Sequence, residues 1–337
     1  MLTISAVAFC GRAFSFSADS IAAMGRFPAF CVNVYRNVDR FINSTDSAYV
    51  CPSGYAMNVK LRSAGWTDFN SFYFDGDDQI RLHLPFTATV GCEAAFMGLS
   101  LGYDISVNRL FGAVDRAKSR INFEFSSALL AGRFYSMRNA DGMRLSYLAG
   151  SRDIDCYFNG METDTWGLEA FYFFNSRKYS YAAATTYGRI QKKSQGSFIT
   201  GLAYQHQKLD FDFSRLPESL KPSLPEEWRN LRYAADGDSF SIAGGYGFNW
   251  VPRQKYNVGI IAVVMPTLNY GFLNSSRRNY SFRINYRLTM SAIYNNDRWF
   301  GGVVVKSDLA NIYSRHSTLT SALWVIEAKI GWRFNIR

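Results

Sequence analysis

The sequence predicts an all-β fold: an antiparallel transmembrane β-barrel of about 12 strands that follows a short N-terminal helix. The first reason is that apolar and polar residues alternate strictly over many long segments. The second is an aromatic content of 17%, since large aromatics favour strands and form girdles at both interfaces of membrane barrels. The third is that no stretch of about 18 apolar residues, the length of a spanning helix, follows the N-terminus. Membrane-spanning helices are therefore not expected.

The C-terminal segment "TLTSALWVIEAKIGWRFNIR" shows the alternation well. Its apolar residues occupy every second position, and Glu327, Lys329 and Arg333 lie between them. Residues 282–294, "FRINYRLTMSAIY", repeat the pattern. A tilted membrane strand needs roughly 9–11 residues, whereas soluble strands are usually shorter. The apolar face is therefore predicted to meet lipid and the charged face a wet lumen; a soluble lipocalin-like or sandwich fold is the alternative.

The connections between the predicted strands alternate in length, as in outer-membrane barrels with short turns on one side and longer loops on the other. Short connections are predicted near residues 91–94, 139–141, 252–254 and 295–297. Long ones are predicted near residues 106–117, 151–164, 213–236, 271–279 and 310–317.

The N-terminal region predicts three parts. Residues 1–17 resemble a signal peptide, although no positive residue precedes their apolar core, so the start is truncated or misassigned. Residues 18–50 form a periplasmic segment with a short amphipathic helix, and residues 51–337 form the barrel. Four cysteines remain after cleavage, which permit three disulfide pairings that the sequence does not decide: Cys31, Cys51, Cys92 and Cys156.

The predicted lumen faces carry more bases than acids, in a chain of net charge +10. The charged residues predicted to face the lumen are Lys60, Arg62, Arg81, Asp104, Glu124, Glu169, Arg283, Arg287, Glu327, Lys329 and Arg333. The favoured interpretation is a lumen filled by paired side chains, with a structural or docking role for the protein. An anion-preferring pore or small-solute channel is the alternative. Nucleic-acid binding is not expected, because the bases are spread along the chain.

Catalytic patterns are not apparent. The three histidines stand on separate segments, and only His83 falls on a predicted lumen face, where it has the chemistry of a general base. No H-E-x-x-H helix or C-x-x-C pair occurs. The sequence therefore predicts no enzyme, no cofactor and no metal site, and a barrel-embedded enzyme is the least favoured function.

One connection breaks the length pattern. Residues 175–197, "NSRKYSYAAATTYGRIQKKSQGS", are long, basic and tyrosine-rich where a tight periplasmic turn is due. We call this segment the link; its cations are Arg177, Lys178, Arg189, Lys192 and Lys193. We expect the link to bend into the barrel mouth, its cations pairing with wall carboxylates and its tyrosines packing with hydrogen-bonded hydroxyls. A solvated periplasmic hairpin is the alternative.

Three segments carry a family resemblance: "FYFFNSRKYSYAAATTYGRIQKKSQGSFITGLAY", "FSIAGGYGFNW" and "NDRWFGG". They resemble an uncharacterised family of Bacteroidetes outer-membrane barrel proteins, known only as a domain of unknown function, over about residues 48–334. The cysteine-rich start departs from that family. The resemblance implies a barrel in the outer membrane of a Gram-negative bacterium. Outer-membrane lipid, lipopolysaccharide and the barrel assembly machinery are then expected partners, and no catalytic residue is implied.

Overall fold

The structure is a computed structural model. It describes residues 2–6, 30, 33, 37, 40–55, 57–74, 79–96, 99–107, 118–140, 143–148, 156–223, 226, 229, 232–273, 278–296, 298–313 and 317–335. Its strands are β1 (Leu2–Ala6), β2 (Val50–Pro52), β3 (Met57–Phe74), β4 (Gln79–His83), β5 (Thr87–Phe96), β6 (Leu99–Ser106), β7 (Lys118–Ser126), β8 (Leu130–Ala140), β9 (Met143–Leu148), β10 (Cys156–Phe158), β11 (Met161–Phe173), β12 (Arg189–Gln191), β13 (Gln195–Asp212), β14 (Arg232–Arg253), β15 (Tyr256–Leu273), β16 (Arg278–Asn295), β17 (Trp299–Tyr313) and β18 (Ser317–Phe334).

One antiparallel sheet forms the barrel wall, in the order β1-β6-β5-β3-β18-β17-β16-β15-β14-β13-β11-β8-β7. β4 and β5 pair with the upper and lower halves of β3 and act as one wall strand with a shift in register. Counted this way, the hairpin-connected strands of the described wall number about 12, which confirms the predicted fold class. The backbone ladder of the described residues is not closed, because β1 pairs with β6 and only lies beside β7.

The wall has an apolar outside and a polar inside. Ile242 and Leu202 are 65% and 66% exposed on the outer face, whereas the charged Lys60 is 6% exposed on the inner face. Aromatic pairs lie near the turns at one end of the wall, such as Trp299 with Trp332 at 6.1 Å between ring centroids. This inverted pattern is that of a transmembrane barrel. Within the described residues, no helix has the length and apolar character needed to cross a membrane.

Several predicted turns lie elsewhere. β5 runs through residues 91–94, and a turn at residues 127–129 joins β7 to β8 on the side predicted to have short connections. The predicted long connection at residues 271–279 is mostly strand, because β15 and β16 extend as a hairpin to Leu273 and Arg278. These errors share a cause: small and polar residues such as those of "VGCEAAF" read as turns but pair as strands on the inner face of a barrel.

The N-terminal region is described in part. β1 lies inside the predicted signal peptide and pairs with β6. The signal-peptide assignment remains a prediction. Residues 40–43 are helical, in agreement with the predicted short helix. Cys51 and Cys92 are free thiols, whereas Cys31 lies outside the described residues.

Candidate functional site

The link enters the barrel and occupies the mouth that was predicted to face the periplasm. After β11 the chain turns through residues 174–178 and forms a short link helix, Tyr181–Thr185. Ser180 caps this helix, since its Oγ accepts a hydrogen bond from the Ala183 amide at 3.2 Å, and three alanines give it a narrow body. Ala182 to Thr185 are buried. The chain leaves the helix through Tyr187, whose φ of 63° lies in the left-handed region, and continues into β12.

Amide side chains of the wall hold the link by its backbone carbonyls. Asn249 donates to Ser180 O at 2.9 Å, and Asn257 donates to Ala183 O at 3.2 Å. Asn295 donates in the same way to Arg189 O at 3.1 Å. These three donors stand on three neighbouring strands, β14, β15 and β16. The wall therefore supplies hydrogen bonds that a helix this short cannot supply for itself.

Arg333 of β18 makes a further connection between wall and link. Its guanidinium is 2% exposed and donates to Tyr187 O at 2.8 Å and to Asn296 O at 2.9 Å. The same group lies 4.2 Å from the ring centroid of Phe300. Predicted only as a lumen charge, Arg333 holds the link.

Two wall glycines let the link approach closely. A Cβ on Gly259 would lie 2.9 Å from the Ala184 Cβ, and a Cβ on Gly247 would lie 2.3 Å from the Tyr179 Oη. Both contacts are too short for a real side chain. Gly247 thus provides a seat for Tyr179 on the inner wall.

Tyr179 and Tyr187 of the link pack through their aromatic rings. Tyr179 and Tyr187 are 0% and 2% exposed, and the Tyr187 ring packs against the Phe300 ring with 5.5 Å between their centroids. The expectation of hydrogen-bonded hydroxyls is corrected here, because the Oη atoms of both residues have no hydrogen-bond partner within the described part of the chain. Burial raises the pKa of Tyr187 to about 12, so the ring is neutral at physiological pH.

The segment before the barrel clamps the link from the periplasmic side. β2 pairs with β12 in a small two-stranded sheet. Arg189 donates to Asn43 Oδ1 at 2.7 Å, and the Asp46 amide donates to Arg177 O at 2.8 Å.

The link cations point away from the predicted ion pairs. Lys178 and Lys193 both lie 5.0 Å from the ring centroid of Tyr49, and Lys192 donates to Ser47 O at 3.0 Å. With Arg177, these lysines are exposed, while Arg189 is buried against the pre-barrel segment. The prediction that the cations pair with wall carboxylates is therefore replaced by contacts to the pre-barrel segment. The reason is that carbonyl groups of the link, and not its cations, face the wall.

A belt of ion pairs crosses the lumen beyond the link helix. Glu169 joins Arg133 at 2.9 Å to Arg287 at 2.7 Å, and Arg287 also bonds Asp308. All of these side chains are largely shielded from solvent. Each base in this group is balanced by a carboxylate, as a side-chain-filled lumen requires.

The belt continues around the wall. Lys60 donates to Glu93 at 2.7 Å, and Glu327 lies 3.2 Å from Lys329. Lys306 bridges Glu327 at 3.9 Å and Glu124 at 3.4 Å.

The structure places most predicted lumen charges on the inner wall. These are Lys60, Arg62, Glu124, Glu169, Arg283, Arg287, Glu327, Lys329 and Arg333. The Asp104 side chain lies outside the described residues. Four further charged residues of the inner wall were not predicted from the sequence: Glu93, Arg133, Lys306 and Asp308. Glu93 lies where a short connection was predicted, and Arg133 lies in a segment with weak alternation. Lys306 and Asp308 follow an apolar run.

Arg81 was wrongly assigned to the lumen. Trp66 pairs with Thr87, and Phe69 pairs with His83. Between these two pairs, β3 advances by three residues, whereas the paired chain of β4 and β5 advances by four. A bulge of one residue reverses which side chains face inward. Arg81 is consequently exposed and lies 5.1 Å from the Tyr147 ring. The same shift removes His83 from its predicted lumen position and stacks it on Phe69.

Apolar residues close the end of the barrel opposite the link. Because of the bulge, Ile80, Leu82 and Leu84 face inward, each 1% exposed. They pack with residues of β9, β10 and the β13 end into one cluster, which we call the outer cluster: Trp66, Ile80, Leu82, Leu84, Met143, Leu145, Leu148, Phe158, Met161, Leu209, Phe211, Phe213, Leu216 and Val325. This cluster was not predicted, because Ile80, Leu82 and Leu84 were assigned to the lipid-facing side of their strand.

A cavity of about 170 Å³, lined by both polar and apolar side chains, lies between the belt and the outer cluster. Its floor includes Arg287 and its roof includes Met161. Gln205, Tyr135 and Arg283 line its sides. In the described part of the chain, no group of three or more His, Cys, Asp or Glu residues is placed to hold a metal ion.

Solved structures similar to this chain are outer-membrane proteins. The outer-membrane protease OmpT of Escherichia coli is 6% identical, with a TM-score of 0.38, over 83% of this chain and 97% of that chain. The translocator domain of the autotransporter NalP of Neisseria meningitidis is 10% identical, with a TM-score of 0.29, over 94% and 98%. The toluene transporter TodX of Pseudomonas putida is 8% identical, with a TM-score of 0.24, over 84% and 91%.

The protease corrects the expectation that this chain is not an enzyme. An outer-membrane protease stands among the structures similar to this chain, and that expectation is withdrawn. At such identities and TM-scores, these structures assign no activity, substrate or site residue to the chain.

A comparison with curated proteins finds no match. A family model, in contrast, matches residues 44–334. That range holds the link, the belt and the whole described wall from β3 to β18. The chain therefore belongs to the family described as domain of unknown function DUF4421.

Proposed function

We propose that this protein is an outer-membrane β-barrel whose lumen is closed by its own side chains and link, and which has a structural or docking role. We further propose that it resides in the outer membrane of a Gram-negative bacterium of the Bacteroidetes. Lipid, lipopolysaccharide and the barrel assembly machinery are its general partners in this proposal. The segments around the link that resemble Bacteroidetes barrel proteins support the assignment of origin.

The single observation that carries the proposal is the seating of the link. Its helix is buried in the mouth and is held by carbonyl contacts to Asn249, Asn257 and Asn295. Beyond it stand the ion-pair belt and the outer cluster. Three successive layers of different chemistry thus occupy the lumen. An open pore is less well supported, because the belt cations already have carboxylate partners.

Docking is supported by what the closed mouth presents to the periplasm. Arg177, Lys178, Lys192 and Lys193 of the link are exposed, and the neighbouring turns add exposed bases at Arg253, Lys255 and Arg298. These cations stand at the centre and rim of the mouth, where a soluble partner reaches them more easily than the surrounding bilayer does. The partner proposed is an acidic protein or peptide.

Binding of fluorescent polyglutamate to the folded barrel in detergent tests the docking role. Wild type should bind, and binding should weaken as salt rises, because exposed charges are screened. The double variant Lys192→Gln, Lys193→Gln should bind more weakly. Lys208→Gln and Lys221→Gln remove two cations near the opposite, extracellular end of β13 and serve as the charge-matched control. Equal loss in both double variants would refute docking at the mouth.

A further inference from the structure

Arg283 is a buried cation that forms no ion pair with the residues that the structure describes. Its side chain is 2% exposed, and Nη2 donates to Ser239 Oγ at 2.9 Å. Its Nε has no hydrogen-bond partner within the described residues. Arg283 lines the 170 Å³ cavity, so its guanidinium charge stands beside a space that can hold a ligand.

Of the three carboxylates that line the same cavity, Glu169 and Asp308 are bound by other bases. Glu169 is bound by Arg133 and Arg287, and Arg287 also binds Asp308. Asp68 stands on β3, where it accepts a hydrogen bond from Ser321 at 3.4 Å.

Burying a charge without a partner is costly, and proteins normally pair such a group or bind an ion with it. Lys60 and Arg62 of the inner wall pair with Glu93, and Arg287 pairs with Glu169 and Asp308. Within the described residues Arg283 forms no such ion pair, and an anion bound in the cavity that it lines would restore the balance. A guanidinium edge matches the two oxygens of a carboxylate.

The rest of the lining suits a small polar ligand. Tyr135 donates to Gln205 Oε1 at 3.1 Å, and Gln205 donates to Gln207 Oε1 at 3.3 Å. Asn285 and Ser241 add further amide and hydroxyl groups. A dry cavity of roughly 150 Å³ accepts benzene in another protein, so this one accepts a ligand of about six non-hydrogen atoms.

We infer that the cavity at Arg283 is an occluded binding site for a small anion, a carboxylate of the size of acetate or propionate. Arg283 supplies the charge, and the neighbouring amide and hydroxyl groups supply further hydrogen bonds. The outer cluster covers the site, so the ligand enters only when that cluster opens, and exchange is slow. The site does not depend on the docking role proposed above.

Thermal unfolding of the folded barrel in detergent, at constant ionic strength, tests the site. Sodium acetate is the probe and sodium gluconate, whose anion is too large for the cavity, is the control salt. Wild type should show a Tm that rises with acetate and saturates, as expected when a ligand binds the folded state alone. Gluconate should leave the Tm unchanged.

Arg283→Met is the decisive variant. Without acetate it should be at least as stable as wild type, because it removes an unpaired buried charge, and it should no longer respond to acetate. Lys192→Met, on the exposed link, should respond as wild type does. Saturation-transfer NMR of acetate gives a second readout that does not rely on unfolding. A wild type that does not respond to acetate in either measurement, or an Arg283→Met variant that still responds, would overturn the inference.

Discussion

Replacing Arg333 by methionine should release the link while leaving the wall folded. Methionine keeps much of the side-chain volume and removes the guanidinium. Two hydrogen bonds are lost, to Tyr187 O at 2.8 Å and Asn296 O at 2.9 Å, together with the contact to the Phe300 ring at 4.2 Å. Two carbonyls of the periplasmic mouth then lose a buried donor.

The magnitude follows from these contacts. A hydrogen bond to a charged group contributes about 1.5–3 kcal/mol, so two such bonds set an upper range of about 3–6 kcal/mol. The folded variant no longer carries the desolvation cost of a buried cation, which offsets part of that loss. A net cost of about 2–4 kcal/mol remains for keeping the link seated. At 1.4 kcal/mol per factor of ten, this raises the population of the released link by about 30- to 700-fold.

Amide hydrogen exchange followed by mass spectrometry measures this population directly. Peptides covering residues 179–191 should exchange faster in Arg333→Met by the factor above, while peptides from β14 and β15 keep their protection. Arg177→Met is the matched control, because Arg177 is exposed and should contribute less than about 0.5 kcal/mol. Unchanged protection of the link in Arg333→Met would refute the claim that this side chain holds it.

Three further predictions concern the seat, the lipid face and pH. Gly259→Val should loosen the link in the same exchange experiment, whereas Gly244→Val should not, since a Cβ on Gly244 meets nothing within 4 Å; equal behaviour would contradict the close seat. Leu288→Arg on the lipid face should cost about 2–4 kcal/mol in denaturant unfolding, and Ala310→Arg, which faces the cavity, should cost clearly less; the reverse order would count against the facing assignment. Burial raises the pKa of Tyr187 to about 12, so its contribution to seating should be complete below about pH 10 and lost as pH rises toward 12; tyrosinate absorbance and link exchange should change together in that window, and less so in Tyr187→Phe.

The alternation of apolar and polar residues predicted most of the fold. Residues 282–294 and the C-terminal strand were assigned correctly because the side-chain period of a strand is two, and a long wall strand keeps one phase. The alternation failed at Leu84–Phe86, where a one-residue bulge moved Arg81 and His83 outward and the leucines of β4 inward. A bulge changes backbone pairing without a distinctive side-chain pattern, so periodicity alone does not reveal it.

The candidate site was predictable in place but not in detail. The length and basic character of the link marked it as unusual, and its burial follows from its alanines and tyrosines. The contacts that seat it come from Asn249, Asn257 and Asn295, three amides distant in sequence that only the sheet register brings together. The sequence predicted only that Arg283 faces the lumen. Whether a lumen base has a carboxylate within reach depends on which side chains the folded barrel brings near it.

Conductance across a planar bilayer tests whether the link closes the lumen. If it does, the full chain, inserted as a folded barrel, gives no steady channel current. Deletion of residues 182–186, which removes most of the link helix, then gives new or larger openings. Folding of both proteins is verified beforehand by heat-modifiable migration on gels. A steady current through the full chain that is the same in the deletion variant would contradict a lumen closed by the link.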